Sequence, residues 1–204
     1  MDFITSQEDL RALYGPASPN ALRKQMDRLD AHARTFLARS PFVVIASQDS
    51  KGHADATPKG DGPGFVHVLD ERTIAIPDRP GNARVDTWSN IVDNPAVGLL
   101  FLIPGMNETL RINGTGRLTR DSELCARLAM NGKPAVAALV VQIEDVYLHC
   151  AKAFIRSRLW KQDTWPDRKQ LPTLGEMLRD QIDLSETAEE LDQRLEDGYR
   201  RTMW

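Results

Sequence analysis

Residues 57–87 read TPKGDGPGFVHVLDERTIAIPDRPGNARVDT, and set Lys59, Arg79 and Arg84 among loop glycines and hydroxyls beside short apolar runs. Arginine offers a planar fork of N–H donors matched to phosphate oxygens, and lysine adds a mobile point charge. A helix expected to begin near Asn82 would contribute free backbone N–H groups and the positive end of its dipole. These parts make a phosphate cradle if the fold brings them to one place. The same composition also serves plain turns, which collect Gly, Pro, Asp and Arg to reverse the chain in solvent.

Other chemistries find less support. His32, His53, His67 and His149 include no two at the close spacings of helical or finger-type metal sites, so no metal site is expected. His149-Cys150 could ligate a metal or attack an electrophile, but a cysteine at a strand end is more often inert packing. His67 alternates with Phe65 and Val68 in a short strand, the usual setting of a structural histidine. No Gly-x-Ser-x-Gly elbow supports serine hydrolysis, and Gly114-Thr115-Gly116 lacks the rest of a dinucleotide fingerprint, reading instead as a strand kink or bulge.

The elements that must position these residues follow from periodicity. Thr5-Ser6-Gln7-Glu8 has capping-box spacing, and Ser18-Pro19 offers an N-cap before a first-turn proline. From there Leu22, Met26, Leu29, Ala33, Phe36 and Leu37 recur at helical steps, predicting one helix that ends near Ser40-Pro41. Seven β-rich runs follow at 42–47, 54–58, 65–69, 73–77, 96–103, 110–118 and 137–149. Their short, turn-rich links favour antiparallel hairpins, because parallel strands need long crossovers. Two helical inserts are expected, at 82–92 and 121–130, and helices return at 151–160, after the capping box Thr173-Leu174-Gly175-Glu176, and from about Ser185.

This order predicts a mainly β protein with peripheral helices, a six- to seven-stranded antiparallel split barrel. Residues 1–40 would form N-terminal helices packed on the barrel, 41–160 the barrel, and 161–204 a C-terminal helical extension, within one structural domain. The chain has 204 residues, 41% apolar and 27% charged, with net charge -3, so nothing general draws it to nucleic acid. Two cysteines are too few for a disulfide framework, and no run approaches a membrane span or a signal peptide, so a cytoplasmic location is expected.

A resemblance gives the loop residues their meaning. Thr57-Pro58-Lys59-Gly60-Asp61, Gly64-Phe65, Ile76-Pro77-Asp78-Arg79, Ile91-Val92-Asp93-Asn94-Pro95 and Val97-Gly98-Leu99-Leu100-Phe101 come in an order that resembles the pyridoxamine-phosphate-oxidase-like split-barrel family over roughly residues 35–160. The stretch Asp78-Arg79-Pro80-Gly81-Asn82-Ala83-Arg84-Val85-Asp86-Thr87 resembles a subgroup of oxidase-related FMN-binding proteins and is the specific part. The resemblance implies FMN at a homodimer interface. Its phosphate and ribityl chain would be held by Arg84 and Thr87 with Asn82 and Arg79, and its ring lined by Thr57, Pro58, Lys59, Ile76 and Pro77, with Lys59 near the pyrimidine edge and Asp78 also among the cofactor-binding residues.

Arg111 stands where many relatives carry an Arg-Gln pair reaching across the dimer, but Ile112 replaces the partner, and a solvated strand charge is its other reading. The run from His149 to Trp160 also resembles the subgroup and implies that Lys152, Arg156 and Trp160 approach the neighbour's flavin. Helical spacing equally makes Trp160 a core residue and the two cations a solvated face. The chain finishes without the Arg-x-His substrate motif of true pyridoxamine-phosphate oxidases. The expectation is therefore an FMN flavoprotein and oxidoreductase exchanging hydride at flavin N5, with a substrate the sequence does not name. Deazaflavin or haem in the same barrel, or a flavin-binding module without catalysis, are the alternatives.

Overall fold

The computed structural model describes residues 1–203. Strands β1 (Phe42–Gln48), β2 (Ala54–Gly60), β3 (His67–Val68), β4 (Thr73–Asp78), β5 (Ala96–Leu102), β6 (Thr109–Thr119) and β7 (Ala137–His149) build one sheet in the order β2-β1-β5-β6-β7-β4-β3. Every pairing is antiparallel, as the short links require. The sheet is not closed by hydrogen bonds: β2 and β3 are its two ends.

Alternation along the strands fixes the inner face. Val43 and Ile45 of β1, Val97, Leu99 and Phe101 of β5, Leu110 and Ile112 of β6, and Leu139, Val141 and Ile143 of β7 are buried in one core. On β4, consecutive Ile74, Ala75 and Ile76 are all buried. Ile74 and Ile76 enter the main core, while Ala75 joins Cys125, Leu128, Ala135 and Ala138 in a smaller cluster on the opposite face. That second cluster lies under helix α5 (Ser122–Arg127), which is why an unbroken apolar run suits this strand.

The expected helix through 18–40 is two, α2 (Pro19–Arg23) and α3 (Ala31–Arg39). Between them Met26 leaves the helix to exchange backbone hydrogen bonds with Val146, at 3.1 and 2.8 Å, and Asp30 then caps α3 by accepting from the Ala33 N–H. Helix α3 buries Ala33, Phe36 and Leu37, whereas α1 (Gln7–Tyr14) and α2 bury nothing. The strand expected at 65–69 shrinks to β3 because Phe65 closes a turn onto Gly62 and Leu69 one onto Thr73. Helix α4 (Asp86–Asp93) starts four residues later than expected, since Ala83 is left-handed at φ 59 and cannot continue into a helix. Helix α6 (Lys152–Ser157) stops early because Arg158 is left-handed at φ 54. Both capping boxes of the C-terminal pair α7 (Leu174–Ile182) and α8 (Ala188–Thr202) form, the first of them as expected. Among the described residues no helix is long and apolar enough to cross a membrane.

One irregularity bends the sheet. The register of β6 against β7 slips between Asn113, opposite Asp145, and Gly114, opposite Ile143, leaving Glu144 as the extra residue of a bulge. A Cβ on Gly114 would lie 2.0 Å from the Gln142 carbonyl oxygen, so only glycine allows the strands to close here. Gly114→Ala should therefore lower the unfolding free energy by about 3 kcal/mol, measured by urea denaturation. A loss under about 0.5 kcal/mol would show that the bulge relaxes freely.

Candidate functional site

The chemistry-bearing residues gather where the ends of β2 and β4 each have a ladder on one edge alone. Strand β2 pairs only with β1, and β3 pairs only with Ala75 and Ile74, so the far end of β4 has β7 on one side alone. Pro58 and Pro77, which lack an N–H, are tolerated on such edges. Side chains join the two ends instead of backbone. Lys59 Nζ donates to Asp78 Oδ1 at 3.0 Å, and Arg79 Nε donates to Asp61 Oδ2 at 2.9 Å. Pro58, Lys59, Pro77, Arg79, Pro80 and Gly81 line a cavity of about 220 Å³ at this junction.

The two pairs differ from the third cation's. Arg79 and Asp61 side chains are 19% and 9% exposed, whereas Arg84 and Asp86, paired at 2.5 Å, are 77% and 56% exposed. A half-buried pair is part of the framework, and an exposed one exchanges readily with solvent or ligand. Asp86 bonded to Arg84, with Asp55 also facing it, raises the Arg84 guanidinium's already high pKa, so it is a permanent cation. Arg79 Nη1 is buried without a hydrogen-bond partner, a donor left over beside the cavity.

Helix α4 docks on this junction through its first turn. Thr87, buried, donates to Asp55 of β2 at 2.5 Å, and Asn90 donates to Ser47 of β1 at 3.1 Å. Between them the Trp88 ring lies 4.4 Å from Lys59 Nζ. The N-cap, Val85, gives no side-chain hydrogen bond, so the first-turn N–H groups are not capped from within the loop. Asn82 Oδ1 instead accepts from the Arg84 N–H at 3.0 Å and shapes the approach to the helix.

Lys59, Asp78, Arg79, Pro58 and Pro77 thus stand together at one end, and Asn82, Arg84 and Thr87 at the other, with Asp55 between β2 and α4. The three expected phosphate cations do not share one anion in the structure: Lys59 pairs with Asp78, Arg79 with Asp61 and Arg84 with Asp86. Ile76 is fully buried in the core, so only its backbone can face a ligand. Thr57 is half-buried on the same face of β2 as Asp55 and Lys59. Sequence reasoning missed Asp55, Asp61, Asp86 and Trp88. Three of these are the carboxylates beside cations, and a Lys-x-Asp facing an Asp-Arg was a legible sign of two crossed ion pairs. Trp88 gave no such sign.

The remaining expected residues lie elsewhere. Cross-strand partners place Pro58, Val44, Leu100, Arg111 and Tyr147 in one row over the outer face of β2, β1, β5, β6 and β7. At about 4.8 Å per strand, Arg111 is about 14 Å from Pro58. It stacks 5.8 Å over the Tyr147 ring and lines a groove of about 420 Å³ with Val44, Ala46, Leu100, His149 and Phe154. Trp160 stacks on Phe154 at 5.7 Å and donates its indole N–H to the Met106 carbonyl at 2.8 Å, so it clamps the segment after α6 to the β5–β6 turn. Lys152 and Arg156 are exposed on α6. His67, near the first junction, has its pKa lowered by burial and by the charges of Arg127 and Arg79.

If the Arg79–Asp61 pair is framework, Asp61→Asn strands a half-buried guanidinium and should destabilise the fold by about 2 kcal/mol. Adding Arg79→Met should recover part of that loss, which a double-mutant cycle in urea reads directly. Additive losses would mean the pair contributes nothing.

The family model described as pyridoxamine 5'-phosphate oxidase matches residues 29–150, more than half of the chain. No curated protein matches significantly. Among solved structures, HupZ from Group A Streptococcus is 16% identical, over 59% of this chain and 93% of its own, with a TM-score of 0.49. An FMN-binding protein from Syntrophomonas wolfei is 12% identical over 70% and 96%, at 0.45, and an F420 reductase 14% over 59% and 98%, at 0.42. The matched segment of the family model begins just before α3 and ends at the close of β7, so it covers the whole sheet and both ends of the junction. On that match the chain belongs to the pyridoxamine 5'-phosphate oxidase family.

Proposed function

We propose that this protein binds FMN at the β2–β4 junction as a homodimer and serves hydride transfer, without the pyridoxamine-phosphate oxidase reaction itself. The observation that carries the reading is the orphaned Arg79 Nη1 beside a cavity lined by Lys59, Pro58 and Pro77. A buried donor without an acceptor fits an oxygen-rich ligand. The loop before α4 adds Arg84, and the first turn adds Thr87 and uncapped N–H groups, as partners for the other end of a long cofactor.

The residues divide the work. Arg84, Thr87 and Asn82 would hold the phosphate, with Arg84 turning from Asp86 to the anion. Thr57, Pro58, Ile76, Pro77 and Asp78 would face the ring largely through backbone, and Arg79 would meet a carbonyl oxygen. Lys59 would place positive charge at the pyrimidine edge. When bound, the flavin supplies two-electron chemistry at N5, so no protein nucleophile is needed. None of the four histidines follows an arginine by two residues, so the substrate motif of the named oxidase is missing from the chain.

Two arguments support a second copy. Arg111, three strands and about 14 Å from Pro58, is too far across the sheet to meet the same end of a ligand in one chain. The outer face also leaves Phe42 exposed and Val44 and Leu100 half-buried, an apolar surface that a partner would cover. Lys152, Arg156 and Trp160 would then lie beside the partner's flavin. A deazaflavin with a long acidic tail suits the site less, because Asp55 and Asp86 flank Arg84. Haem has one observation in its favour: exposed His149 borders the apolar groove. A Soret band in the purified protein, with no flavin spectrum, would select it.

Arg84→Ala should weaken FMN binding at least about tenfold while leaving riboflavin, which lacks the phosphate, unaffected. Fluorescence titration of both ligands checks this. Equal loss for both would remove Arg84 from the phosphate, and a protein that binds neither would refute the assignment.

A further inference from the structure

Lys59 is held on two sides by groups of different kinds. The Asp78 carboxylate lies 3.0 Å away, and the Trp88 ring 4.4 Å away. A carboxylate attracts an ammonium and makes it the positive end of a local dipole, whereas an aromatic face attracts it without adding a counter-charge. Lysine's four-carbon stem would otherwise let the ammonium swing widely about Asp78. The indole comes from the first turn of α4, where the preceding residue, Thr87, is fixed to Asp55, four residues before Lys59 on the same face of β2. The ring is therefore carried by a segment anchored to the very strand that bears the lysine. Trp88 is also half-buried against the main core, which restricts its own motion.

We propose that Trp88 is a positioning residue for Lys59. By confining the ammonium between indole and carboxylate it keeps a positive charge in one place at the ring end and favours reduced, anionic flavin over oxidised flavin. This rests on the FMN reading above. A charge fixed before electrons arrive stabilises the product without reorganising, whereas a mobile one must first be ordered. Thr87, on the same turn of α4, and Arg84, in the loop leading into it, are assigned to the phosphate, so the grip on one end of the cofactor and the charge at the other share one support.

The test compares Trp88→Leu, which removes the aromatic face, with Trp88→Phe, which keeps one. In Trp88→Leu the preference for reduced over oxidised FMN should fall about tenfold, a midpoint potential ~30 mV more negative for a two-electron couple. Trp88→Phe should shift much less, and the Kd for oxidised FMN should stay within about threefold in both. No shift in Trp88→Leu, or equal shifts in the two variants, overturns the proposal. A second measurement needs no flavin: the Lys59 ε-methylene protons of the free protein should show an upfield ring-current shift by NMR, kept in Trp88→Phe and lost in Trp88→Leu. Absence of that shift overturns the proposal whatever the flavin does. Its presence in a protein that binds no FMN refutes the FMN reading, and with it the role in redox poise, while leaving the contact itself established.

Discussion

Strand β2 has a backbone ladder on one edge only, and what happens at its other edge shapes everything around the site. An open edge invites pairing with another chain, and proteins blunt such edges with proline and charge. Here Pro58 and Lys59 of β2 and Asp61 just after it do so, with Pro77 and Asp78 of β4 and Arg79 just after it. The ends meet through Lys59–Asp78 and Asp61–Arg79 rather than through N–H···O=C bonds. Side chains span a wider gap than a ladder does, and a cavity lined by Pro58, Lys59, Pro77 and Arg79 lies at that gap. The split in the sheet is thus the origin of the site, and closing it with a regular ladder would abolish the space.

Helix α4 is the second support, and it depends on the first. Its eight residues are too few to be stable alone, so its position comes from docking. Thr87 on Asp55, Trp88 on Lys59 and Asn90 on Ser47 attach it to β2 and β1 at successive points. The loop before it is forced to turn by left-handed Ala83 and leaves the helix start without a side-chain cap. An uncapped helix start beside the exposed Arg84 is suited to receive an anion, while the flanking Asp55 and Asp86 limit how much negative charge the place accepts.

Much of this was legible in the residues. The seven strands follow from short β-rich runs such as Phe42-Val43-Val44-Ile45 bounded by turn residues, and their antiparallel order from links too short for crossovers. The breaks were harder to read. Nothing local distinguishes Met26 from its helical neighbours, because its departure is driven by Val146, a partner far away in sequence. The late start of α4 likewise depends on the backbone state of Ala83, which side-chain chemistry does not reveal. In the site, the cations were found from their type, but their separation was not. Whether three positive groups share one anion or each takes a carboxylate depends on how β2, β4 and α4 meet, and that is long-range information. Asp86 looked like a turn residue until its partner was known.

A ligand that one chain grips at the β2–β4 junction, and that a second chain covers with the outer face bearing Arg111, is the central claim. Native mass spectrometry of the protein titrated with FMN tests it most directly. The expected species is two chains carrying two FMN molecules. A single chain carrying one FMN with full affinity, or a pair of chains that takes up none, would contradict it.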